Sequence, residues 1–157
     1  MTHFTEKLPT KRMAAGCLFT DEAGRLLILD PPYKPTWDLP GGVVEQDESP
    51  RLAAQREIQE ELGLAVEPGA LLAVDWISRS GDFTELVAFL FDGGVLRSAD
   101  INRITLDPTE ARGFRFVTLT EAEPLLDPGQ CSRVAAALNA RGSSMTAYLE
   151  SGSTPVP

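Results

Sequence analysis

Between Pro31 and Gly42 the chain carries four prolines and two glycines in twelve residues, PPYKPTWDLPGG. Proline fixes φ and removes a backbone donor, so this stretch is excluded from a helix interior and from a central strand. It must be a shaped loop, with Trp37 and Leu39 as its apolar anchors. Soon after it, Ser49-Pro50 supplies an N-capping hydroxyl followed by proline at the first helical position. Gly63 supplies the C-terminal cap, which brackets a helix ending at about Leu62.

The rest of the chain must be arranged around this loop and helix. Apolar runs at 12–20 and 25–30 flank Asp21-Glu22-Ala23-Gly24 and predict a β-hairpin. Residues 70–78 and 84–91 read as two strands joined across 79–83, and 114–118 as another. A short helix is expected from Thr120, and a longer one over 129–141 with Val134 and Leu138 on its apolar stripe. Strands before, between and after helices indicate an α/β or α+β class with a mixed sheet. A length of 157 residues indicates one domain. Its expected limits are 11–141, with an N-terminal tail over 1–10 and a C-terminal tail over 142–157 that frays at its end.

The charge is −9, from 14 basic and 23 acidic residues. That excludes a general nucleic-acid-backbone partner and an anionic membrane surface, both of which need basic residues. No apolar run is long enough to span a bilayer. Cys17 and Cys131 do not make a disulfide framework and read as reduced thiols, so the expected compartment is cytoplasmic. His3, the only histidine, stands in the tail, which leaves histidine triads and histidine–zinc chemistry without a partner.

Residues 41–64 concentrate the acidity, with six acids and two bases. At about 100° per residue, Glu57, Glu60 and Glu61 share one face of the helix within an arc of roughly 100°. Ile58 and Leu62 fall on another stripe and are expected in the core. Ala53 and Ala54, one turn before the acids, are expected to leave room for a bulky group to approach. Two readings of the acids compete: a solvated acidic face, or a hard-cation site that leaves positions open for water and substrate phosphates. The helix by itself does not choose between them.

The preceding residues do. Gly42 is followed after five residues by Glu48, then after seven by Arg56-Glu57-Ile58, then after one by Glu60-Glu61, then after one by Gly63-Leu64. This string resembles the Nudix box, the signature of the Nudix hydrolase family, at every defined position. Trp37-Asp38-Leu39-Pro40-Gly41-Gly42 resembles the usual run into the box, and Phe114-Arg115-Phe116-Val117 resembles the late strand, so the likeness extends over about residues 10–126.

The resemblance implies an α/β/α sandwich around a mixed sheet. It also implies hydrolysis of a pyrophosphate bond in a nucleoside diphosphate derivative or nucleoside triphosphate, with Mg²⁺ or Mn²⁺ as cofactor. Carried onto this sequence, Glu57 and Glu61 would be the main metal ligands, Glu60 a further ligand or water-positioning group, and the Gly41 carbonyl a backbone ligand. Arg56, with Glu48, would hold these carboxylates by charge-assisted hydrogen bonds. The general base varies across the family, and Glu110, just before the late strand, is the candidate outside the box; Glu85 and Glu121 are weaker ones. Trp37, Tyr33 and Phe83 are candidates for stacking on a base, and Lys34, Arg79 and Arg112 for phosphate contact, each against an ordinary packing or surface role. The implied partner is a small nucleotide substrate, with neither a nucleic-acid duplex nor a membrane. A homodimer is compatible with the family, although no segment marks its interface. The alternative is a non-catalytic Nudix-like sensor that binds a nucleotide. Positions where some substrate classes carry a proline or a tyrosine hold Arg79 and Gly81 here.

Overall fold

The computed structural model describes residues 4–156, so His3 lies outside the described residues. One mixed seven-stranded sheet organises the chain. Strands β1 (Arg12–Asp21) and β2 (Leu26–Asp30) form the expected antiparallel hairpin. Its turn is fixed by Asp21, whose Oδ1 accepts from the backbone N–H groups of Ala23 and Arg25. The short strand β3 (Gly41–Val43) lies antiparallel on β1. Strands β4 (Leu71–Ile77), β5 (Leu86–Leu96), β6 (Gly113–Val117) and β7 (Ala147–Glu150) complete the order β6-β2-β1-β5-β4-β7.

Burial is continuous along β2 and the second half of β1, so successive side chains, which point to opposite faces, require cover on both. Cys17, Phe19, Leu27 and Leu29 point to one core with helix α1 (Pro50–Leu62). Leu18, Leu26, Ile28 and Leu90 point to a second core with α3 (Leu119–Ala122) and α4 (Pro128–Arg141). The result is the expected α/β/α sandwich. The single turn α2 (Ser98–Ile101) follows β5 and had no signal in the sequence. No helix among the described residues is long and apolar enough to cross a membrane.

Helix α1 begins and ends as its caps require. Ser49 Oγ accepts from the Leu52 N–H at 3.3 Å, and Gly63, at φ 66°, donates to the Gln59 carbonyl at 3.0 Å. Ile58 and Leu62 are fully buried, as their stripe predicts. Ala53 and Ala54 are also fully buried, which corrects the expectation that they open space beside the acids. Their small side chains instead let α1 sit close on the sheet.

Two further corrections concern strand limits. β5 runs on past 91, the expected end of that strand, because a bulge opposite Leu18/Phe19 absorbs the extra residue and pairing with β1 resumes. The tail assigned to 142–157 contains β7, which pairs parallel with β4 from Ala73↔Ala147 to Trp76↔Glu150 and buries Leu149. A four-residue strand shows no usable periodicity, and its partner lies some seventy residues upstream. The expected fray is tied down at its start, where Ser153 N–H donates to the Glu150 carbonyl at 3.1 Å. Within the N-terminal tail, Phe4–Lys7 forms one 3-10 turn.

Candidate active site

The acidic helix meets the proline–glycine loop where β3 crosses β1. Gly41, at φ 147°, packs so tightly on β1 that a Cβ there would lie 2.4 Å from Gly16 Cα. That contact turns the Gly41 N–H toward α1, where it donates to Glu61 Oε2 at 2.8 Å. A Cβ on Gly42 would stand 2.4–2.7 Å from the carboxylate atoms of Glu57. The paired glycines therefore provide a donor for one acid and the space occupied by the other.

Arg56 commits all five of its N–H groups. Nε and Nη2 form a fork on Glu48, both at 2.9 Å, and Nη2 also donates to the Val43 carbonyl at 3.0 Å. Nη1 donates to Glu57 Oε1 at 2.8 Å and to Glu60 Oε2 at 3.1 Å. Glu48 additionally accepts from the Glu45 N–H at 3.0 Å. The Arg56 fork and that N–H hold the Glu48 carboxyl at about 2, well below its ordinary value.

The three helix acids occupy different environments. Glu60 is exposed, Glu57 is half-buried, and Glu61 is 7% exposed. Burial pushes the Glu61 carboxyl up to about 8, opposed by the Gly41 N–H and reinforced by the charges of Glu57, Asp38 and Glu110. Burial also raises Glu57, against the pull of Arg56. Glu110 stands in the turn after Asp107 and is close enough for its charge to act on both Glu57 and Glu61.

Among the described residues no three acidic, histidine or cysteine side chains form a ready-made metal cage. The donor chemistry nevertheless fits a hard cation. Mg²⁺ needs only one or two carboxylates, with water and phosphate completing its shell. Glu61 is a buried carboxyl stabilised by a single N–H and surrounded by other acids, so it lacks a countercharge. Gly41 meets the site through its N–H; the carbonyl role stays an expectation.

Other candidates are committed elsewhere. Glu85 pairs with Lys11 at 2.6 Å and accepts from Trp76 Nε1 at 2.6 Å, and Glu121 caps α3 through Thr118. Lys34 pairs with Asp38, and Arg112 with Asp30. Trp37 is covered by the Arg115 guanidinium, 4.7 Å from its ring centroid. Phe83 and Tyr33 are exposed, and Tyr33 lies within reach of the acids' field.

A cleft of about 520 Å³ opens beside Gly41 and Gly42, between the sheet and the start of α4. Its polar wall contains Asp38, Asp75, Gln130 and Arg133. None of these was singled out from the sequence. Asp75 did carry a signal: it is an acid inside the apolar strand LLAVDWI, and it is fully buried. A buried charge requires a partner, and Arg133 Nε supplies one at 3.1 Å.

Comparison with known proteins agrees with this architecture. The family model described as "NUDIX domain" matches residues 10–136. A "MutT-like protein" of Streptomyces ambofaciens is 36% identical over 95 residues, 58% of this chain and 59% of that protein. An RNA pyrophosphohydrolase of Dinoroseobacter shibae is 40% identical over 70 residues, 42% of this chain and 44% of that protein. The matched stretch thus spans about half the length of these relatives. The crystal structure of the MutT protein from Methanosarcina mazei Go1 superposes with a TM-score of 0.67 at 24% identity, covering 89% of this chain and all of that one, a likeness of fold. With the box glycines, Arg56 and the helix acids in place within a matching sandwich, the chain belongs to the NUDIX domain family.

Proposed function

We propose that the chain is a divalent-cation-dependent pyrophosphohydrolase acting on a nucleoside diphosphate derivative or a nucleoside triphosphate. The observation that carries this reading is the buried Glu61, fixed by the N–H of Gly41 and lacking a countercharge, while Gly41 itself lines a cleft of about 520 Å³. Glu57 and Glu61, with Glu60 and the Gly41 carbonyl, would hold Mg²⁺ or Mn²⁺. When bound, the cation neutralises phosphate oxygens and activates a water for attack on phosphorus.

The chain's own residues do the remaining work. Arg56 presents Glu57 and Glu60 in a fixed orientation and is itself braced by Glu48. Glu110 shares the field of the acids and is the candidate to accept the proton of the attacking water. The cleft takes the nucleoside, so the anhydride lies across Gly41-Gly42 toward the acids. Cys17 and Cys131 are unbridged, in keeping with a reducing, cytoplasmic setting.

The test is a panel of nucleoside diphosphate derivatives and triphosphates, incubated with Mg²⁺ or Mn²⁺ and followed by mass detection of both products. Cleavage that stops in chelator and in Glu57→Gln, with the fold retained, supports the reading. Tight nucleotide binding without cleavage of any member would favour a non-catalytic sensor instead.

A further inference from the structure

The segment from Thr105 to Arg112 runs from the end of α1 to the end of β2 and is tied at both places. At its start the Thr105 N–H donates to the Leu62 carbonyl at 2.9 Å, one residue beyond Glu61. Leu106 packs against the core that α1 shares with the sheet. At its end Ala111 is 1% exposed in that same core, and the Arg112 N–H donates to the Asp30 carbonyl at 2.8 Å. Between the ties the chain makes one tight turn. Asp107 Oδ1 accepts from the N–H and the hydroxyl of Thr109, and the Asp107 carbonyl accepts from the N–H groups of Glu110 and Ala111, both at 2.9 Å. Glu110 is exposed on this turn, whose ends are fixed beside Glu61 and beside the proline-rich loop.

A side-chain contact also joins the turn to β2. The Arg112 guanidinium forms a fork on Asp30, with Nη2 to Oδ1 at 2.7 Å and Nε to Oδ2 at 3.2 Å. Asp30 is the last residue of β2 and immediately precedes Pro31. The sheet holds without the fork, because the β2–β6 ladder runs as far as Asp30↔Gly113 and the backbone bond of Arg112 extends it. Stability gains little from it, because the Arg112 side chain is 54% exposed and such pairs are weak in water. What the fork fixes is direction. A planar guanidinium held at two points on a carboxylate cannot swivel, so it sets the angle at which the turn enters β6. Glu110 stands two residues before that fixed point. Contact of Arg112 with substrate fits less well, since it would give up two charge-assisted bonds and does not line the cleft.

We propose that the Asp30–Arg112 pair is a positioning device for Glu110, holding its carboxylate where it takes the proton of the attacking water. In that step the water oxygen bonds to phosphorus, the anhydride P–O bond breaks toward the leaving phosphate, and the proton passes to Glu110. Neither Asp30 nor Arg112 touches the reacting atoms; each acts through Glu110. The inference rests on the reading above that the chain hydrolyses a phosphoric anhydride with Glu110 as base.

The test is steady-state kinetics in Mg²⁺ on the nucleoside triphosphate or diphosphate derivative that the parent turns over fastest. Arg112→Met and Asp30→Asn should each lower kcat about 10–100-fold with KM within about twofold, the loss expected when a reacting group is misplaced. Glu110→Gln should lower kcat by about 100-fold or more. Adding Arg112→Met to Glu110→Gln should change kcat by less than about twofold, because residues that act through one group are not additive. Thermal midpoints should stay near that of the parent in all of these variants.

Unchanged kcat in both Arg112→Met and Asp30→Asn would overturn the proposal. A raised KM at constant kcat in Arg112→Met alone would overturn it too, by making the guanidinium a substrate contact. Losses that multiply in the double variant would show that Arg112 does not act through Glu110, with the same result. Full turnover in Glu110→Gln, with none in Glu57→Gln, would remove the positioning role and leave the hydrolase reading standing. A parent that cleaves no anhydride of the panel would remove both.

Discussion

Gly42 lies directly beneath the Glu57 carboxylate: a Cβ on residue 42 would stand 2.4 Å from Glu57 Cδ. The glycine is there for space, since no side chain can share it with that carboxylate. Gly42→Ala must push Glu57 off Arg56. Because the obstructing atoms are the end of a side chain, the fold should tolerate the change. We expect metal affinity or turnover to fall about 10–100-fold, as when the support of a ligand is removed, with a small change in thermal midpoint. Unchanged activity in Gly42→Ala would show that Glu57 need not occupy this position.

Arg56→Lys separates geometry from charge. Lysine keeps the positive charge but cannot make the Glu48 fork and reach Glu57, Glu60 and the Val43 carbonyl together. Activity should fall about 10–100-fold. Turnover in Arg56→Lys equal to that of the parent protein would mean that charge alone suffices.

Glu61 gives a pH signature in the metal-free protein. Its carboxyl titrates at about 8 in the fold against an ordinary 4.5. The folded state therefore holds this proton more tightly than the unfolded chain does, and the group disfavours folding increasingly as pH rises through that window. In chelator, Glu61→Gln should be more stable than the parent near pH 8, with the difference vanishing below the ordinary value of 4.5. Parallel thermal midpoints across this range would contradict the burial argument.

Glu48 has the opposite sign. Its carboxyl is held at about 2 by the Arg56 fork and the Glu45 N–H. What the interaction contributes is present above the ordinary value of 4.5 and is lost as pH falls toward about 2. Because this group is solvent-accessible, the effect should weaken with salt. Acid denaturation of Glu48→Gln should show a shallower dependence on pH over this range.

The strand β7 is part of the domain. Leu149 is 2% exposed in the core shared with α4 and β4. Leu149→Ala should cost about 2–5 kcal/mol, the range for a buried Leu→Ala change. Chemical denaturation checks this, and a cost below about 1 kcal/mol would return residues 142–157 to the status of a tail.

The sequence by itself determined the local events. Ser49, Pro50 and Gly63 set the limits of α1, because capping acts within one turn. Asp21 marked the β1–β2 turn, and four prolines excluded regular structure from 31–42 outside the bridge at Asp38 and the start of β3. The spacing from Gly42 to Leu64 identified the family, because those positions occur close together in the chain. Only the tertiary structure decided which faces were buried. Ala53 and Ala54 turned inward, and the helix acids separated into exposed Glu60, half-buried Glu57 and buried Glu61. The cleft was beyond sequence reasoning for the same cause. Asp75 meets Arg133 across 58 residues and Gly152 across 77, and those encounters depend on strand order rather than on any local pattern. A buried acid announces that it needs a partner; the sheet decides which residue that partner is.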